Sequence, residues 1–294
     1  MEIQLLPPNT KFMENLTSII LCAGEGKRAK GIADDIPKSL IKVESLNNQS
    51  ILTILMSQLY RFGFKLIVIV TGHLNTQIEK DILLSHAKNP YKSEIIINNA
   101  GNQYKLGPLH SFLSITRNKQ VFKTNELFLV IPGDTIFDNK LVEEILNLLK
   151  ENYATVNQKS IIFYRRTTKL ALNEEIEKFG PMRKKILSCI ITKEKDSKHY
   201  VKEIYQRNIN SLLDEEEFNQ IIPMFIIAYD YVKKMEKLAS QIKLNKIIDG
   251  INSSIKNKMD FLACRVKSNQ NFYDIDTALD LTFVNKLYKK KSGQ

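Results

Sequence analysis

The sequence predicts an α/β protein built on a doubly wound, mainly parallel sheet, with an antiparallel-elaborated second half. Up to residue 151, short β-like runs alternate with helix-like segments, the β-α-β-α order that generates parallel sheets. Residues 65–70 (KLIVIV) are a nearly continuous aliphatic, β-branched run, the composition of a strand covered on both faces. Beyond Asn152 the rhythm changes and several strand-like runs read as antiparallel.

In chain order, 18–22 reads as the first strand. Residues 50–62 read as a helix, with Ile51, Leu52, Ile54, Leu55 and Leu59 at helical spacing and Gly63 as the stop. After the strand at 65–70 come a helix at 76–87, a short strand at 94–97 and a helix at 109–117 announced by Gly107-Pro108. A buried strand at 127–131 ends in Pro132-Gly133-Asp134, and 140–151 is an amphipathic helix. The second half offers strands at 159–165, 186–193, 200–205 and 221–229, with an acidic, polar stretch at 208–220. Helices at 231–242 and 245–255, a last strand at 259–266, the run Asp274-Ile275-Asp276 and a helix at 277–287 close the chain. There is no internal repeat and no low-complexity linker.

At 294 residues and 43% hydrophobic, the chain is long enough to bury a full core. No apolar run approaches the roughly 18–20 residues of a membrane span, and the first residues lack the pattern of a secretory signal. Three widely spaced cysteines (Cys22, Cys189, Cys264) make neither a disulfide framework nor a zinc pattern, so a cytoplasmic setting is expected. The formal charge of +11 is spread through the chain as solvated helix faces rather than gathered into a nucleic-acid stripe, and it favours capture of anionic metabolites. A nucleic-acid partner and a membrane are therefore not expected, while assembly of like chains is compatible with the sequence.

The most specific stretch is Leu21-Cys22-Ala23-Gly24-Glu25-Gly26-Lys27-Arg28, followed by Pro37-Lys38-Ser39-Leu40. A dinucleotide fingerprint would need a third glycine where Ala29 stands, and a P-loop would need Ser or Thr where Arg28 stands. The pattern L-x-A-G-x-G-x-R, then P-K-x-L, instead resembles the nucleotidyltransferases that activate sugar, polyol or choline phosphates, and is similar to the molybdenum-cofactor guanylyltransferase-like NTP transferases. Ala29 departs from the Met or Leu usual there. The physics agrees with the resemblance. Gly24 and Gly26 let backbone N–H groups turn toward a triphosphate, Arg28 can fork onto the departing phosphates, and Lys38 is a compact charge for the α-phosphate.

The resemblance implies a Rossmann-like nucleotidyltransferase fold, Mg2+ as cofactor, and transfer of NMP from an NTP to a phosphorylated small molecule with release of pyrophosphate. It implies Leu21, Ala23, Gly24, Gly26 and Lys27 at the nucleotide, with Arg28 and Lys38 as the catalytic cations. Asp134, at the end of a central strand, corresponds to the family's metal-binding G-D element. Asp274-Ile275-Asp276-Thr277, followed by Asp280-Leu281, is similar to its D-[IV]-D-T-x-x-D-L element. Asp274 and Asp276 point the same way at period two, so either is a candidate to reach the metal beside Asp134. Asp276 is favoured for the metal and doubles as a plausible helix cap, while Asp280 reads as first-turn charge. Asn99, Gln103 and Tyr104 are candidates for the base and ribose, and Gly107 opens the following helix. Where many sugar-phosphate enzymes carry E-K-P, this chain has Gln206-Arg207 without a proline, so Arg207 and Arg165 are the candidates for the acceptor phosphate.

The expected organisation is an N-terminal arm at 1–17, one nucleotidyltransferase domain at 18–288 with an NTP-binding half (18–151) and an acceptor-binding half (152–288), and a basic tail at 289–294. A cofactor-precursor guanylyl- or cytidylyltransferase is the alternative within the same chemistry. A nucleotide-sugar glycosyltransferase, which wants its D-x-D after a central strand, and a non-catalytic nucleotide- or RNA-binding protein are the rivals outside it.

Overall fold

In a computed structural model describing residues 11–26, 32, 35–86, 93–124, 126–156, 159–179, 186–267 and 271–291, the first apolar run lies near the centre of a large sheet. A 3₁₀ turn (Lys11–Asn15) leads into β1 (Leu16–Leu21), and a small hairpin of β2 (Lys42–Val43) and β3 (Gln49–Ser50) precedes α1 (Ile51–Arg61). Then follow β4 (Leu66–Thr71), α2 (Asn75–His86), β5 (Glu94–Asn99), a 3₁₀ turn (Gly101–Leu106) and α3 (Pro108–Leu113). Next come β6 (Leu127–Pro132), β7 (Thr135–Phe137), α4 (Asn139–Val156), β8 (Ile161–Thr168) and α5 (Lys169–Phe179). The second half continues with β9 (Ile186–Lys195), β10 (Lys198–Asn208), β11 (Glu217–Ala228), α6 (Tyr229–Gln241) and α7 (Ile247–Lys256). It closes with β12 (Leu262–Arg265), β13 (Phe272–Asp274) and α8 (Ala278–Lys291).

Among the described residues nine strands form one sheet in the order β5-β4-β1-β6-β11-β8-β12-β10-β9. The first four are parallel, as the alternation in the sequence predicts. Beyond β6 the sheet departs from the mainly parallel expectation: β11 runs antiparallel to β6 and to β8, and β10 antiparallel to β9 and β12, with only β12–β8 parallel. For the β9–β10 pair the local cause is a tight hairpin. Asp196 (φ 51°) and Ser197 (φ 57°) form the two-residue turn between β9 and β10, a turn that can only join antiparallel strands. The fold is thus a mixed α/β sheet whose two halves share one hydrogen-bonded core.

Helix ends also differ from the sequence reading. The helix expected at 109–117 is α for Pro108–Leu113 and tightens to 3₁₀ over Ser114–Arg117. Helix α8 runs on to Lys291, so 289–291 are helical rather than part of a basic tail, and the Lys291 ammonium lies 2.9 Å from Oδ1 of the buried Asp138. At the other end, β1 begins at Leu16, inside the expected arm. Helix α5 and the short strands β2, β3, β7 and β13 had no counterpart in the sequence reading. Among the described residues no helix is long and apolar enough to cross a membrane.

Helix α3 enters the body through Gly107, whose φ of +112° side chains rarely adopt. A Cβ there would come within 2.6 Å of the Asn245 carbonyl oxygen, which itself accepts from Leu109 N at 3.0 Å. That close backbone approach docks the start of α3 onto the loop between α6 and α7. Gly107→Ala is expected to cost on the order of 2 kcal/mol through strain and overpacking, measured as a fall in urea midpoint at unchanged m-value.

Candidate active site

Three strand ends build the floor of the main cleft. Cys22 N donates to Val70 O of β4 (2.8 Å), His73 N to Ala23 O (3.1 Å), and Gly133 N to Leu21 O (3.0 Å). The turn that leaves β1 is therefore pinned by its neighbours on both sides. Gly133 is required by this approach, since a Cβ would lie 2.6 Å from Cys22 Sγ and 2.8 Å from Leu21 O. Within the turn, Gly26 has φ +64° and its backbone packs on the stem of Lys38, while the space where a Gly24 side chain would project is open. Backbone of this kind can approach a bound anion closely. Lys27 and Arg28 lie outside the described residues.

Pro37 leads into the 3₁₀ turn Lys38–Leu40, which leaves the Lys38 side chain only 10% exposed. Its ammonium stands 3.5 Å from Asp134 Oδ2 and hydrogen-bonds Asp276 Oδ1. These three residues come from distant parts of the chain, and a two-stranded ribbon brings the carboxylates together. β13 pairs antiparallel with β7 (Phe272↔Phe137, Tyr273↔Ile136, Asp274↔Thr135), and Ile275 N continues the ladder to Asp134 O at 2.9 Å. Asp274 Oδ1 accepts from Thr135 Oγ1 at 2.7 Å, which leaves Asp276 as the acid that meets Lys38.

The cap of α8 is not Asp276. Asp280 Oδ2 accepts from Asp276 N (3.1 Å), Thr277 N (2.9 Å) and Thr277 Oγ1 (2.9 Å), a reciprocal box around Thr277. Asp280 does the capping work, and the Asp276 carboxylate is turned to Lys38.

Burial pushes the Asp134 carboxyl above its ordinary value of 3.8. The neighbouring Asp274 and Asp276 add to the rise and Lys38 opposes it. Burial also pushes the Cys22 thiol up to about 12, so it stays protonated and is not poised as a nucleophile.

The cleft in front of this floor holds about 440 Å³ and is lined by Leu21, Cys22, Ala23, Gly24, Gly26 and Lys38 on one side. Tyr104, Pro108 and Ser111 flank it, and the second half contributes Ser188, Gln206, Pro223, Phe225, Lys246 and Ile247. Gln206 and Lys246 are linked, Lys246 Nζ donating to Gln206 Oε1 at 2.8 Å. The sequence reading missed Lys246; its only local mark is a lysine three residues before Asp249, whose carboxylate caps the start of α7 by accepting from Lys246 N.

The remaining candidates sit elsewhere. Asn99 Oδ1 accepts from Gly101 N (2.8 Å), and Asn99 lines a separate hollow of about 330 Å³ with Arg117 and Lys119. The Gln103 amide lies against the Arg117 guanidinium, a contact that assigns its oxygen to the side facing Arg117. Arg207 is paired with Glu216, Nη2 to Oε2 at 2.9 Å. Arg165 donates to Gln220 Oε1 (2.9 Å) and to Asn271, over the ring of Phe272. These side chains are engaged with the protein rather than gathered around Lys38.

The profile of the MobA-like NTP transferase domain matches residues 18–254. The chain belongs to this family. It is 27% identical over 126 residues to UTP–glucose-1-phosphate uridylyltransferase AglF of Haloferax volcanii; that match spans 43% of this chain and 46% of the relative, about half its length. Its fold is shared by a UDP-glucose pyrophosphorylase solved with UDP-glucose (TM-score 0.67, 16% identity, 94% of this chain and 98% of that one). It is shared too by the inositol-1-phosphate CTP transferase of T. maritima (TM-score 0.63, 15% identity, 94% and 96%).

Asp134 also yields a pH prediction. An acid with a raised folded pKa binds its proton more tightly in the native state, so stability falls as pH rises from 3.8 through the raised value and stays lowered above it. In metal-free protein, Asp134→Asn is therefore expected to be more stable than the parent at neutral pH, the gain shrinking toward pH 3.8. Urea denaturation across that range measures it.

Proposed function

We propose that the protein is a Mg2+-dependent nucleotidyltransferase that moves NMP from an NTP to a phosphorylated small molecule and releases pyrophosphate. The observation that carries this reading is the convergence of Lys38, Asp134 and Asp276 beside the glycine turn after β1. Family membership and the uridylyltransferase relative support the same chemistry.

The donor set fits magnesium. Two hard carboxylates already converge on one cation, the Lys38 ammonium, and magnesium asks for one or two carboxylates with phosphate oxygens and water completing its shell. Among the described residues no group of three or more His, Cys, Asp or Glu could hold a metal without substrate. Asp134 and Asp276 would hold the ion, with Asp274 held beside them by Thr135. When bound, the ion neutralises charge on the phosphate oxygens.

The backbone of the turn would cradle the triphosphate, and Lys38 would face the α-phosphate. Arg28 and Lys27, just beyond Gly26 in sequence, would take the β- and γ-phosphates. An oxygen of the acceptor phosphate attacks the α-phosphorus, forming a new P–O–P link as the bond to the β-phosphate breaks. The nucleophile is already anionic, so positioning and charge neutralisation suffice without a general base or a covalent intermediate. The high pKa of Cys22 is in keeping with this.

Pyrophosphate release, followed with each NTP and a panel of phosphorylated acceptors, tests the reading. Asp134→Asn and Lys38→Ala are each expected to lose at least about a hundredfold in turnover; near-normal turnover in both rejects it. Glycosyl transfer or RNA binding without pyrophosphate release would favour the rivals.

A further inference from the structure

The cleft must hold two anions at once, the triphosphate and the acceptor phosphate, if the proposed function is right. Among the described residues that line it, two carry positive charge: Lys38 and Lys246. Lys38 is almost buried and answered by two carboxylates. Lys246 is exposed, and its ammonium is held by a neutral amide, Gln206 Oε1 at 2.8 Å. Its nearest acid in sequence, Asp249, is occupied with the backbone N–H groups of Lys246 (2.8 Å) and Asn245 (3.3 Å). The protein thus brings a cation to the wall supplied by the second half, aims it with an amide, and leaves its charge unmet.

We propose that Lys246 binds the acceptor phosphate, that Gln206 positions it, and that the acceptor is the phosphate ester of an uncharged polyol or sugar. This rests on the nucleotidyltransferase reading. The charge requirement comes from that reaction: a phosphate oxygen is the nucleophile, and a second phosphate is brought against a triphosphate only if its charge is offset. Lys246 stands at the start of α7, whereas the two arginine candidates of the same half, Arg207 and Arg165, are engaged by Glu216 and Gln220.

The exclusion of a cationic acceptor comes from the rest of the wall. Pro223, Phe225 and Ile247 are apolar, and Ser188 and Gln206 offer neutral hydrogen-bonding groups. Among the described lining residues Asp134 is the one carboxylate, and Lys38 engages it. A quaternary or primary ammonium head would meet the Lys246 ammonium and no unengaged carboxylate among the described lining residues; Phe225 is 7% exposed, which leaves Tyr104 as a single ring, short of the several that a cation box needs. A hydroxylated, uncharged body suits Ser188 and Gln206 instead.

The test compares the parent protein with Lys246→Ala, Lys246→Arg and Gln206→Glu. Calorimetry gives the Kd for each NTP with Mg2+, and pyrophosphate release gives kcat and KM with glycerol 3-phosphate, glucose 1-phosphate, phosphocholine and phosphoethanolamine. The parent is expected to use the uncharged acceptors and to ignore the amino-alcohol phosphates. Lys246→Ala should raise acceptor KM by about 10- to 100-fold, the loss of one charge-assisted hydrogen bond, with the NTP Kd unchanged. Lys246→Arg should recover much of the loss. Gln206→Glu, which sets a carboxylate against the ammonium, should also raise acceptor KM. An acceptor KM within about twofold of the parent in Lys246→Ala overturns the assignment, as does an equal loss of NTP affinity. A parent that binds NTP but uses only amino-alcohol phosphates, or none of the four acceptors, overturns the acceptor class. A parent that binds no NTP defeats the nucleotidyltransferase reading itself.

Discussion

Three residue pairs between β7 and β13 hold the candidate site together. β7 starts immediately after Asp134, and Asp276 follows β13 by two residues, so closing this ribbon brings both acids to one end of it. The ribbon is short, and what it accomplishes is costly. Acids drawn together at the floor of a cleft repel one another and lose water. Lys38 offsets part of that cost from a third region of the chain, yet the Asp134 carboxyl remains above its ordinary value. A site that destabilises its own carboxylate in the absence of ligand is ready to gain from a cation or a neutralised substrate. This is the familiar exchange of stability for function.

The ribbon is braced from behind. Asp138, just past β7, accepts from Asn271 N (3.0 Å), the Tyr288 hydroxyl (3.0 Å) and the Lys291 ammonium (2.9 Å). Asn271 precedes β13, while Tyr288 and Lys291 lie in the last turn of α8. At the other end of α8, Asp280 gathers the N–H groups of Asp276 and Thr277. The turn bearing Asp276 is thus fixed by both ends of one helix, and the terminal lysine that looked like part of a solvated tail is a member of this brace.

The sequence was most legible where chemistry is local. The glycine turn, Pro37-Lys38, Gly133-Asp134 and the run from Asp274 to Asp280 are short strings whose residue types are dictated by backbone approach, capping or charge; the turn, Lys38 and Asp134 line one cleft, and Asp276 reaches it through Lys38. The alternating first half was legible because buried parallel strands have a composition of their own. What stayed hidden depended on distant pairing. Strands β7 and β13 have three residues each and no periodicity to read. The β9–β10 hairpin turns on two residues, Asp196-Ser197, that carry no glycine to announce it, and the antiparallel pairings of β11 join strands distant in the chain. Lys246 reaches the cleft because Gly107 lets α3 press against Asn245, a contact no local pattern encodes. Asn99 and Gln103, candidates for the base in the sequence, have side chains engaged by a turn hydrogen bond and by the neighbouring Arg117.

The two halves meet along one strand pair, and each supplies a wall of the cleft. β11 runs against β6 with Phe225 opposite Val130, and both residues line the cleft. The second-half wall of the cleft is therefore built on the strand next to the one that leads to Asp134, and shares its hydrogen-bond ladder. Substitutions at Pro223, Ser188 or Lys246 change the surface an acceptor meets without moving the backbone of the glycine turn, which is pinned separately by β4 and β6. In the proposed reaction the pinned turn meets the triphosphate, and the separately supported wall meets the acceptor. The antiparallel half, which breaks the parallel pattern of the first, supplies that second wall of the cleft.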